Sequence, residues 1–285
     1  MDRLKESYWD QVIQPKRSLL DLNLREVWRY RDLLRMLIKR DIITVYKQTI
    51  LGPAWYVLQP VLTSLIFVFI FGKVAKLSTD GLPMFLFYLA GITMWNYFAD
   101  SWTSTSGTFR MNAQLFGKVY FPRVVVPLSK VIGGLVKFMI QLSFLVVCML
   151  YYLVFEDAPI VFNWYMLAIP LLILISGLMG LGLGTISSAL TAKYRDISFL
   201  IDFGVRLFMY ATPVIYPLSS VPPEYQKLVL LNPMTSIVEA FKFVLLGSGS
   251  FDITNLLYSA GFALIVLVAG MIIFNRTEQN FMDTV

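Results

Sequence analysis

The stretch APIVFNWYMLAIPLLILISGLMGLGLGTISSALTA fills residues 158–192, and none of its 35 residues is charged. An α-helix crosses the hydrocarbon core of a bilayer, roughly 30 Å thick, with about 20 apolar residues. Buried helices of soluble proteins seldom stay uncharged for more than about 14 residues. The stretch therefore predicts a membrane-spanning helix, which we place at residues 164–190.

The rest of the chain has the same character. Hydrophobic residues make up 57% of the 285 residues and charged residues 15%, whereas a typical soluble domain is about 25% charged. The sequence predicts an all-α integral membrane protein with six transmembrane helices. The other five helices are expected at about residues 51–72, 82–105, 128–155, 197–216 and 253–274.

Lysine and arginine are unevenly distributed between the two sides of the predicted membrane. Residues 1–54 hold eleven of them, whereas the opposite side holds four, Lys73, Lys76, Lys227 and Lys242. Because basic loops stay in the cytoplasm, both termini are predicted to be cytoplasmic. The expected divisions are a cytoplasmic N-terminal segment at residues 1–50, a transmembrane domain at 51–275 and a cytoplasmic tail at 276–285.

Several classes of site are excluded by residue type. The chain has no histidine and one cysteine, Cys148, which rules out histidine catalysis, histidine metal sites and intrachain disulfides. A Walker loop ends in Gly-Lys-Ser or Gly-Lys-Thr, but Gly72-Lys73 and Gly117-Lys118 are each followed by valine. We therefore expect no catalytic residue, metal or ATP-binding site in this chain. The net charge of +6 is typical of basic membrane flanks, and no nucleic-acid partner is expected.

The interval between the last two predicted helices, residues 222–247, is apolar but interrupted. Asn232-Pro233 breaks any helix in its middle, because proline has no amide hydrogen to donate. Charged side chains, which are costly in lipid, punctuate both halves. We expect short re-entrant helices on the external side rather than a seventh span. The charged residues are Glu224, Lys227, Glu239 and Lys242.

Residues 24–47 have the pattern of an amphipathic helix lying in the membrane interface. Such a helix is either a basic anchor or the border of a transport entrance, where arginine attracts an anionic lipid head group such as a diphosphate. Its apolar stripe contains Val27, Leu34, Ile38, Ile42 and Val45. Its basic face carries Arg25, Arg29, Arg35, Lys39 and Arg40.

The predicted cytoplasmic loop at residues 107–127 mixes basic residues with apolar and aromatic ones. This composition suits docking onto a partner protein, and it also suits a connector that rests on lipid. The basic residues are Arg110, Lys118 and Arg123, and the others are Leu115, Phe116, Tyr120 and Phe121.

Two charges fall inside the fifth predicted span. Asp202 and Arg206 are four residues apart and share a helix face. Single charges are expensive in hydrocarbon, so the two are expected to form an intramembrane ion pair or to face a water-filled cavity. In the third span, Lys137 is long enough to snorkel to the membrane surface.

Glycine is concentrated in the fourth span, where its lack of a side chain permits close approach of a neighbouring helix. No predicted strand precedes the run, so it is not a nucleotide-binding fingerprint. The residues are Gly177, Gly180, Gly182 and Gly184.

Aromatic residues make up 15% of the chain and cluster in the first, second and fifth spans. Trp and Tyr at span ends form interface belts, and aromatic rings also stack on the faces of sugars. Both interpretations apply to Trp55, Tyr56, Tyr88, Trp95, Tyr97, Phe98, Trp102, Phe208, Tyr210 and Tyr216.

Six segments, taken together and in order, resemble the permease subunits of polysaccharide-exporting ABC transporters, which serve O antigen, capsule and teichoic acid. No one segment is decisive, whereas their joint occurrence is specific. They are YKQTILGPAWYVLQP at residues 46–60, AGITMWNYF at 90–98, GKVYFPRVVVPL at 117–128, YRDI at 194–197, TPVIY at 212–216 and Asn232-Pro233.

The resemblance implies a homodimer in the bacterial inner membrane, with two copies of a separate ATPase that binds ATP and magnesium. The amphipathic helix would be a gate helix at the substrate entrance. The loop at residues 107–127 would contain the coupling helix that docks on the ATPase, with Arg195 and Asp196 near the same surface. The first and fifth spans of both copies would line a channel whose aromatic residues contact the sugar chain.

We therefore expect a permease subunit, not an enzyme, that exports a lipid-linked polysaccharide such as a polyprenyl-diphosphate-linked O antigen. The alternative is an ABC permease for a drug, haem or a small lipid. A membrane-embedded glycan-processing enzyme is a further alternative, with Asp100, Glu156 and Asp157 as candidate acids, although solvated carboxylates are ordinary at span ends. A secondary transporter would usually have more spans with inverted repeats, and no internal repeat is evident.

Overall fold

The computed structural model describes residues 24–47, 49–119, 121–159, 164–247, 249 and 251–281. Residues 1–23, which the sequence assigns to the cytoplasmic segment, lie outside this part of the chain. The α-helices within it are α1 (Leu24–Arg29), α2 (Arg31–Tyr46), α3 (Trp55–Phe67), α4 (Met84–Ser106), α5 (Thr108–Met111), α6 (Ala113–Phe116), α7 (Val125–Phe155), α8 (Ile169–Lys193), α9 (Ile197–Tyr210), α10 (Pro223–Leu230), α11 (Pro233–Leu246) and α12 (Ile253–Phe281).

Short irregular helices extend two of the predicted spans. A 3₁₀ turn (Gly52–Ala54) precedes α3, which continues as a π-helix (Val68–Val74). A second 3₁₀ turn (Trp164–Ala168) leads into α8. The first and fourth predicted spans are therefore each built from consecutive helical pieces.

Four helical stretches in the described residues are long and apolar enough to cross a membrane: Gly52–Val74, Val125–Phe155, Trp164–Lys193 and Ile253–Glu278. The second and fifth predicted spans, α4 and α9, are not among these four stretches. α9 has only 14 residues, and the second half of α4 is rich in polar side chains. The all-helical membrane fold is confirmed, whereas the count of six spans stays a prediction.

The helices α10 and α11 meet at 102° across a short break, and the pair counts as a fifth span if it crosses the membrane. The side-chain oxygen of Asn232 accepts a hydrogen bond from the amide of Met234 at 2.9 Å, which caps α11. The Asn232 side-chain amide donates to Thr212 Oγ1 at 2.8 Å. Pro233 begins α11, where no amide hydrogen is needed. Asn232 thus shapes the bend and ties it to the segment that follows α9.

The main core surrounds α8, which packs tightly against α4 and α12. A Cβ atom added to Gly182 would lie 2.7 Å from the backbone nitrogen of Leu267 in α12. A Cβ atom added to Gly180 would lie 2.6 Å from Cβ of Ser101 in α4. Both distances are shorter than van der Waals contact. The close helix approach that the glycine run predicts is therefore confirmed.

A second, smaller cluster, here called the loop cluster, joins α2, the 107–127 loop and the end of α12. The rings of Phe109 and Phe274 stack in it with centroids 4.5 Å apart. Lys130 at the start of α7 donates to the Asp41 carboxylate of α2 at 2.6 Å. The amphipathic helix thus packs on protein through Val27 and Leu34 of its predicted apolar stripe, and also through Leu37 and Asp41, which lie outside that stripe. The buried members of the loop cluster are Leu37, Phe109, Phe116, Phe121, Val125, Val126 and Phe274.

Candidate functional site

Three of the predicted coupling residues, Phe116, Phe121 and Arg123, are turned into the protein. The two rings are buried in the loop cluster, and Leu115 is half-buried against it. The Arg123 guanidinium lies 5.3 Å from the Phe116 ring centroid and donates to the backbone oxygen of Glu278 at 2.9 Å. Burial lowers the pKa of Arg123, and the Glu278 carboxylate, 3.8 Å away, opposes that shift. Arg123 therefore anchors the loop to the end of α12.

The outer face of the same loop carries the residues that are available to a partner. Arg110 and Lys118 are exposed, and beside them the side chains of Met111 and Val119 are 69% and 54% exposed. Met and Arg are enriched at protein–protein interfaces, where apolar contact and charge act together. Tyr120, also predicted to couple, lies outside the described residues.

The loop contacts the turn between α8 and α9. Arg110 Nη1 donates to Ser198 Oγ at 3.3 Å at the start of α9. The preceding turn exposes Arg195 and Asp196, as well as Tyr194, which is 51% exposed. We call the exposed residues of the loop and of this turn the coupling surface. It comprises Arg110, Met111, Gln114, Lys118, Val119, Tyr194, Arg195 and Asp196.

The basic residues predicted for the gate helix are all exposed. The Arg40 guanidinium lies 2.8 Å from the Asp41 carboxylate, which also forms an ion pair with Lys130. Arg31 is a further exposed basic residue of this helix. It was not among the predicted residues, although it lies in the same basic stretch of sequence. The helix α1–α2 therefore presents a cationic surface beside the loop cluster. The predicted residues are Arg25, Arg29, Arg35, Lys39 and Arg40.

Four of the predicted channel aromatics are buried in the main core. Tyr88, Trp95, Tyr97 and Phe98 of α4 are each less than 5% exposed. Their rings pack against neighbouring side chains; Trp95, for example, lies 5.9 Å from Phe208 of α9. Within one chain these four rings form packing contacts and have no open face toward a channel.

The other predicted aromatics are more accessible. Trp55 and Tyr210 are 46% and 54% exposed. The half-buried ones are Tyr56, Trp102, Phe208 and Tyr216. Two exposed phenylalanines of α9, Phe199 at 75% and Phe203 at 61%, were not among the predicted aromatics.

The charges inside the helices are arranged differently from the prediction. Lys137 does not snorkel freely, since its Nζ donates to the Asp100 carboxylate at 2.6 Å. Asp202 and Arg206 form no ion pair with each other within the described residues, and both side chains are exposed on α9, so the other alternative, a water-filled cavity, stays a prediction. Among the described residues, no group of three or more His, Cys, Asp or Glu side chains is placed to hold a metal ion.

Lys242, which the sequence places in the external re-entrant stretch, is buried in the protein. It lies in α11, and its side chain is 1% exposed. Its Nζ donates to the Pro213 oxygen at 2.6 Å, lies 3.6 Å from the centroid of the Phe87 ring and 3.8 Å from the Glu239 carboxylate. A Cβ atom on Gly91 would lie 3.2 Å from Lys242 Cε, so glycine leaves room for the side chain. Lys242 joins α11 to α4 and to the segment after α9.

The chain is similar to export permeases along most of its length. It is 29% identical over 253 residues to the O-antigen export system permease protein RfbA of Klebsiella pneumoniae, which covers 88% of this chain and 94% of that protein. It is 28% identical over 264 residues to the RfbA protein of Myxococcus xanthus, and the match covers 92% of this chain and 98% of that protein. The polysialic acid transport protein KpsM of Escherichia coli is 22% identical over 253 residues, and the match covers 86% of this chain and 93% of that protein. The family model described as ABC-2 type transporter matches residues 32–246, more than half of the chain. The chain belongs to the ABC-2 type transporter family.

Proposed function

We propose that this chain is the permease subunit of an ATP-driven exporter that moves a lipid-linked polysaccharide across the bacterial inner membrane. One observation carries the proposal: relatives named for O-antigen export and for polysialic acid transport match between 86% and 92% of the chain. A polymer attached to polyprenyl diphosphate is the cargo class that fits best, because the basic α1–α2 surface complements a diphosphate.

In this proposal the exporter contains two copies of the chain and two copies of a separate ATPase, which binds ATP and magnesium. ATP binding moves the two permease copies through the coupling surface. Exposed Met111 and Val119 supply apolar contact there, and Arg110 and Lys118 supply charge. The excess of lysine and arginine on the same side supports a cytoplasmic location for this surface and for both termini.

The proposed path begins at the basic gate helix and continues along the outward faces of α3 and α9. Arginine side chains of α1 and α2 attract the diphosphate, since a guanidinium offers paired donors to phosphate oxygens. Sugar rings then stack on the exposed aromatics Trp55, Phe203 and Tyr210. The buried aromatics of α4 contribute packing rather than cargo contacts in this account.

The proposal is tested by purifying the tagged chain from its native host in mild detergent. We expect an ATPase subunit to co-purify, and we expect its ATP turnover to rise several-fold with lipid-linked glycan relative to the lipid carrier alone. A chain that purifies without an ATPase contradicts the proposal. A complex whose turnover responds equally to the carrier alone argues against a glycan cargo.

A further inference from the structure

An open cavity of about 210 Å³ lies at the end of α4 that is opposite to the coupling surface. It is lined by the segment that leads into α4, by the 3₁₀ turn Leu218–Ser220 and by the helices α10 and α11. Helix α4 has 23 residues, about 34 Å at a rise of about 1.5 Å per residue, so roughly the thickness of a membrane separates this cavity from the 107–127 loop. The lining residues are Asp80, Leu218, Ser219, Gln226, Glu239 and Gly249.

The polar lining of this cavity consists mainly of hydrogen-bond acceptors. Ser219 Oγ donates to the Asp80 carboxylate at 2.7 Å, and a carboxylate accepts several hydrogen bonds, so Asp80 can serve a ligand as well. Gln226 Nε2 donates to the backbone oxygen of Val221 at 2.9 Å, which leaves the amide oxygen as the acceptor for a ligand. The Glu239 carboxylate adds acceptors from the buried side. A ligand of this cavity must therefore bring hydrogen-bond donors.

The charge of Glu239 is balanced inside the protein. The Lys242 ammonium group lies 3.8 Å from the Glu239 carboxylate, and the two side chains are 1% and 3% exposed. Glu239 therefore needs no second cation. In the part of the chain that the structure describes, no three acidic side chains are placed to hold a metal ion here. A neutral ligand with several hydroxyl donors fits this lining better than a metal ion or an ammonium group.

A second, smaller cavity adjoins the first and shares Leu218 and Glu239 with it. Ser236 lines this inner cavity and is 7% exposed, and its hydroxyl has no hydrogen-bond partner within the residues that the structure describes. Leaving a buried hydroxyl without a partner is costly. The inner volume, about 10 Å³, is close to that of one water or one ligand hydroxyl. Ser236 thus gains a partner when such a group enters.

We propose that the two adjoining cavities, here called the external cavity, bind one neutral sugar unit of the exported glycan. Acceptors of Asp80, Gln226 and Glu239 receive the sugar hydroxyls, and Leu218 lies against the apolar face of the ring. The volume is below the roughly 300–1,000 Å³ of pockets for drug-sized ligands, so it fits a single ring rather than a length of chain.

The inference rests on the proposed function, which supplies the glycan and places this end of α4 outside. The proposed cargo path runs along α3 and α9, and the segments that follow these two helices supply Asp80 and Ser219 of the cavity. The external cavity therefore lies where that path ends. A sugar unit bound there has already crossed the membrane, so its binding stabilises the exported part of the chain.

The test measures sugar binding by the purified chain in detergent, without ATPase. The probe is the oligosaccharide released by mild acid from the polysaccharide of the native host, and saturation-transfer NMR gives its dissociation constant. Asp80→Asn and Gln226→Leu are each expected to weaken binding about ten-fold, because each removes a strong acceptor. Asparagine tolerates the positive φ of Asp80, 52°, and still accepts from Ser219, so this variant keeps the local fold.

Glu224→Gln is the matched control, since it makes the same kind of change to an exposed carboxylate of α10 outside the cavity. We expect the control to bind like the wild type, and we expect all variants to keep the wild-type melting temperature. The proposal is overturned if the wild type does not bind the oligosaccharide, or if Asp80→Asn and Gln226→Leu bind it as tightly as the control. Binding that is lost in Trp55→Ala, but kept in both cavity variants, would place the sugar on the cargo path alone and would also overturn it.

Calcium chloride and ethanolamine test the competing ligand chemistry. We expect neither to change the melting temperature through the external cavity. A rise with either one that Asp80→Asn abolishes would assign the cavity to a cation and would refute the sugar site. The proposed function is judged separately, by export. A complex that exports lipid-linked glycan without cavity-dependent binding contradicts this inference alone, whereas a chain that binds sugar in the cavity but supports no ATP-dependent export contradicts the proposed function alone.

Discussion

Single buried charges connect the helices of this protein. The Lys242 ammonium group is enclosed by the Pro213 oxygen, the Phe87 ring and the Glu239 carboxylate. An ammonium group is stable away from water only where such partners replace its hydration. Lys242 therefore holds α11 against α4 and against the end of the α9 segment, which lies on the proposed cargo path.

Replacing Lys242 with methionine keeps most of the side-chain volume and removes the charge. The Glu239 carboxylate then loses its cation, and we expect the free energy of unfolding to fall by about 3–5 kcal/mol. The check is thermal unfolding of the purified protein in detergent. Lys227→Met, at an exposed position of α10, is the control and should change stability by less than about 0.5 kcal/mol. Equal melting temperatures for the two variants would contradict the role of Lys242.

Residue-level contacts were the least predictable part of the structure. Hydropathy does not separate a helix face that packs on protein from one that meets lipid or a channel, because both are apolar. The burial of Tyr88, Trp95 and Tyr97 follows from how α4 packs against α3, α9 and α7, and sequence spacing does not report that. The Lys137–Asp100 contact likewise joins residues on two helices whose packing had to be known first.

At the scale of elements, α8 packs closely against its neighbouring helices because its glycines carry no side chains. A methyl group at Gly182 would meet the backbone of α12 at 2.7 Å, and a backbone cannot rotate aside as a side chain can. The helices α8 and α12 must therefore move apart to accommodate any substitution. The glycine run in the sequence predicted the close approach of a neighbouring helix, but not that α12 is this neighbour.

Gly182→Ala is expected to destabilise the protein by about 1–3 kcal/mol, the usual cost of overpacking. Gly261→Ala in α12 is the matched control, since a Cβ atom there meets nothing within 4 Å. The control should be neutral or stabilising by up to about 1 kcal/mol, because alanine has the higher helix propensity. Melting temperatures of both variants, measured in the same detergent, decide the matter. A Gly182→Ala protein as stable as the control would show that α8 and α12 have room between them.

The two faces of the 107–127 loop predict separable effects of substitution. Met111→Glu changes an exposed side chain, so ATPase retention on purification should fall at least ten-fold while the melting temperature stays unchanged. Phe116→Ala empties part of the loop cluster and should cost about 3–5 kcal/mol of stability. Leu228→Glu, exposed on α10 at the other side of the predicted membrane, should alter neither ATPase retention nor stability. The proposed position of the coupling surface would be contradicted if the Leu228 variant lost ATPase binding, or if the Met111 variant kept it.

Helix positions were predicted well and their surroundings less so. The long uncharged runs coincide with α3, α7, α8 and α12, because an apolar run of that length has few other structures available. The bend between α10 and α11 falls at Asn232-Pro233, where proline chemistry requires a break. The packing of α2 on the loop cluster was not predicted, since an amphipathic stripe fits a protein surface as well as a lipid surface.

At the scale of the whole molecule, α2, the coupling loop and the end of α12 share one cluster of buried side chains. Asp41 joins α2 to α7, and Arg123 joins the loop to Glu278 of α12. In the proposed function, a movement imposed on the coupling surface would be transmitted to the basic helices α1 and α2 and to α7 together. This arrangement suits a permease in which ATP binding at one end opens a path for cargo.

The central claim is that this chain, together with its ATPase, moves a lipid-linked glycan across a membrane. The direct measurement uses the co-purified complex in vesicles with the ATPase sites outside, and lipid-linked glycan supplied in the outer leaflet. A lectin trapped inside the vesicles reports arrival of the glycan. We predict arrival that requires ATP and is abolished when ATP is replaced by a non-hydrolysable analogue. Arrival at the same rate without ATP, or no arrival while ATP turnover continues, would contradict the account.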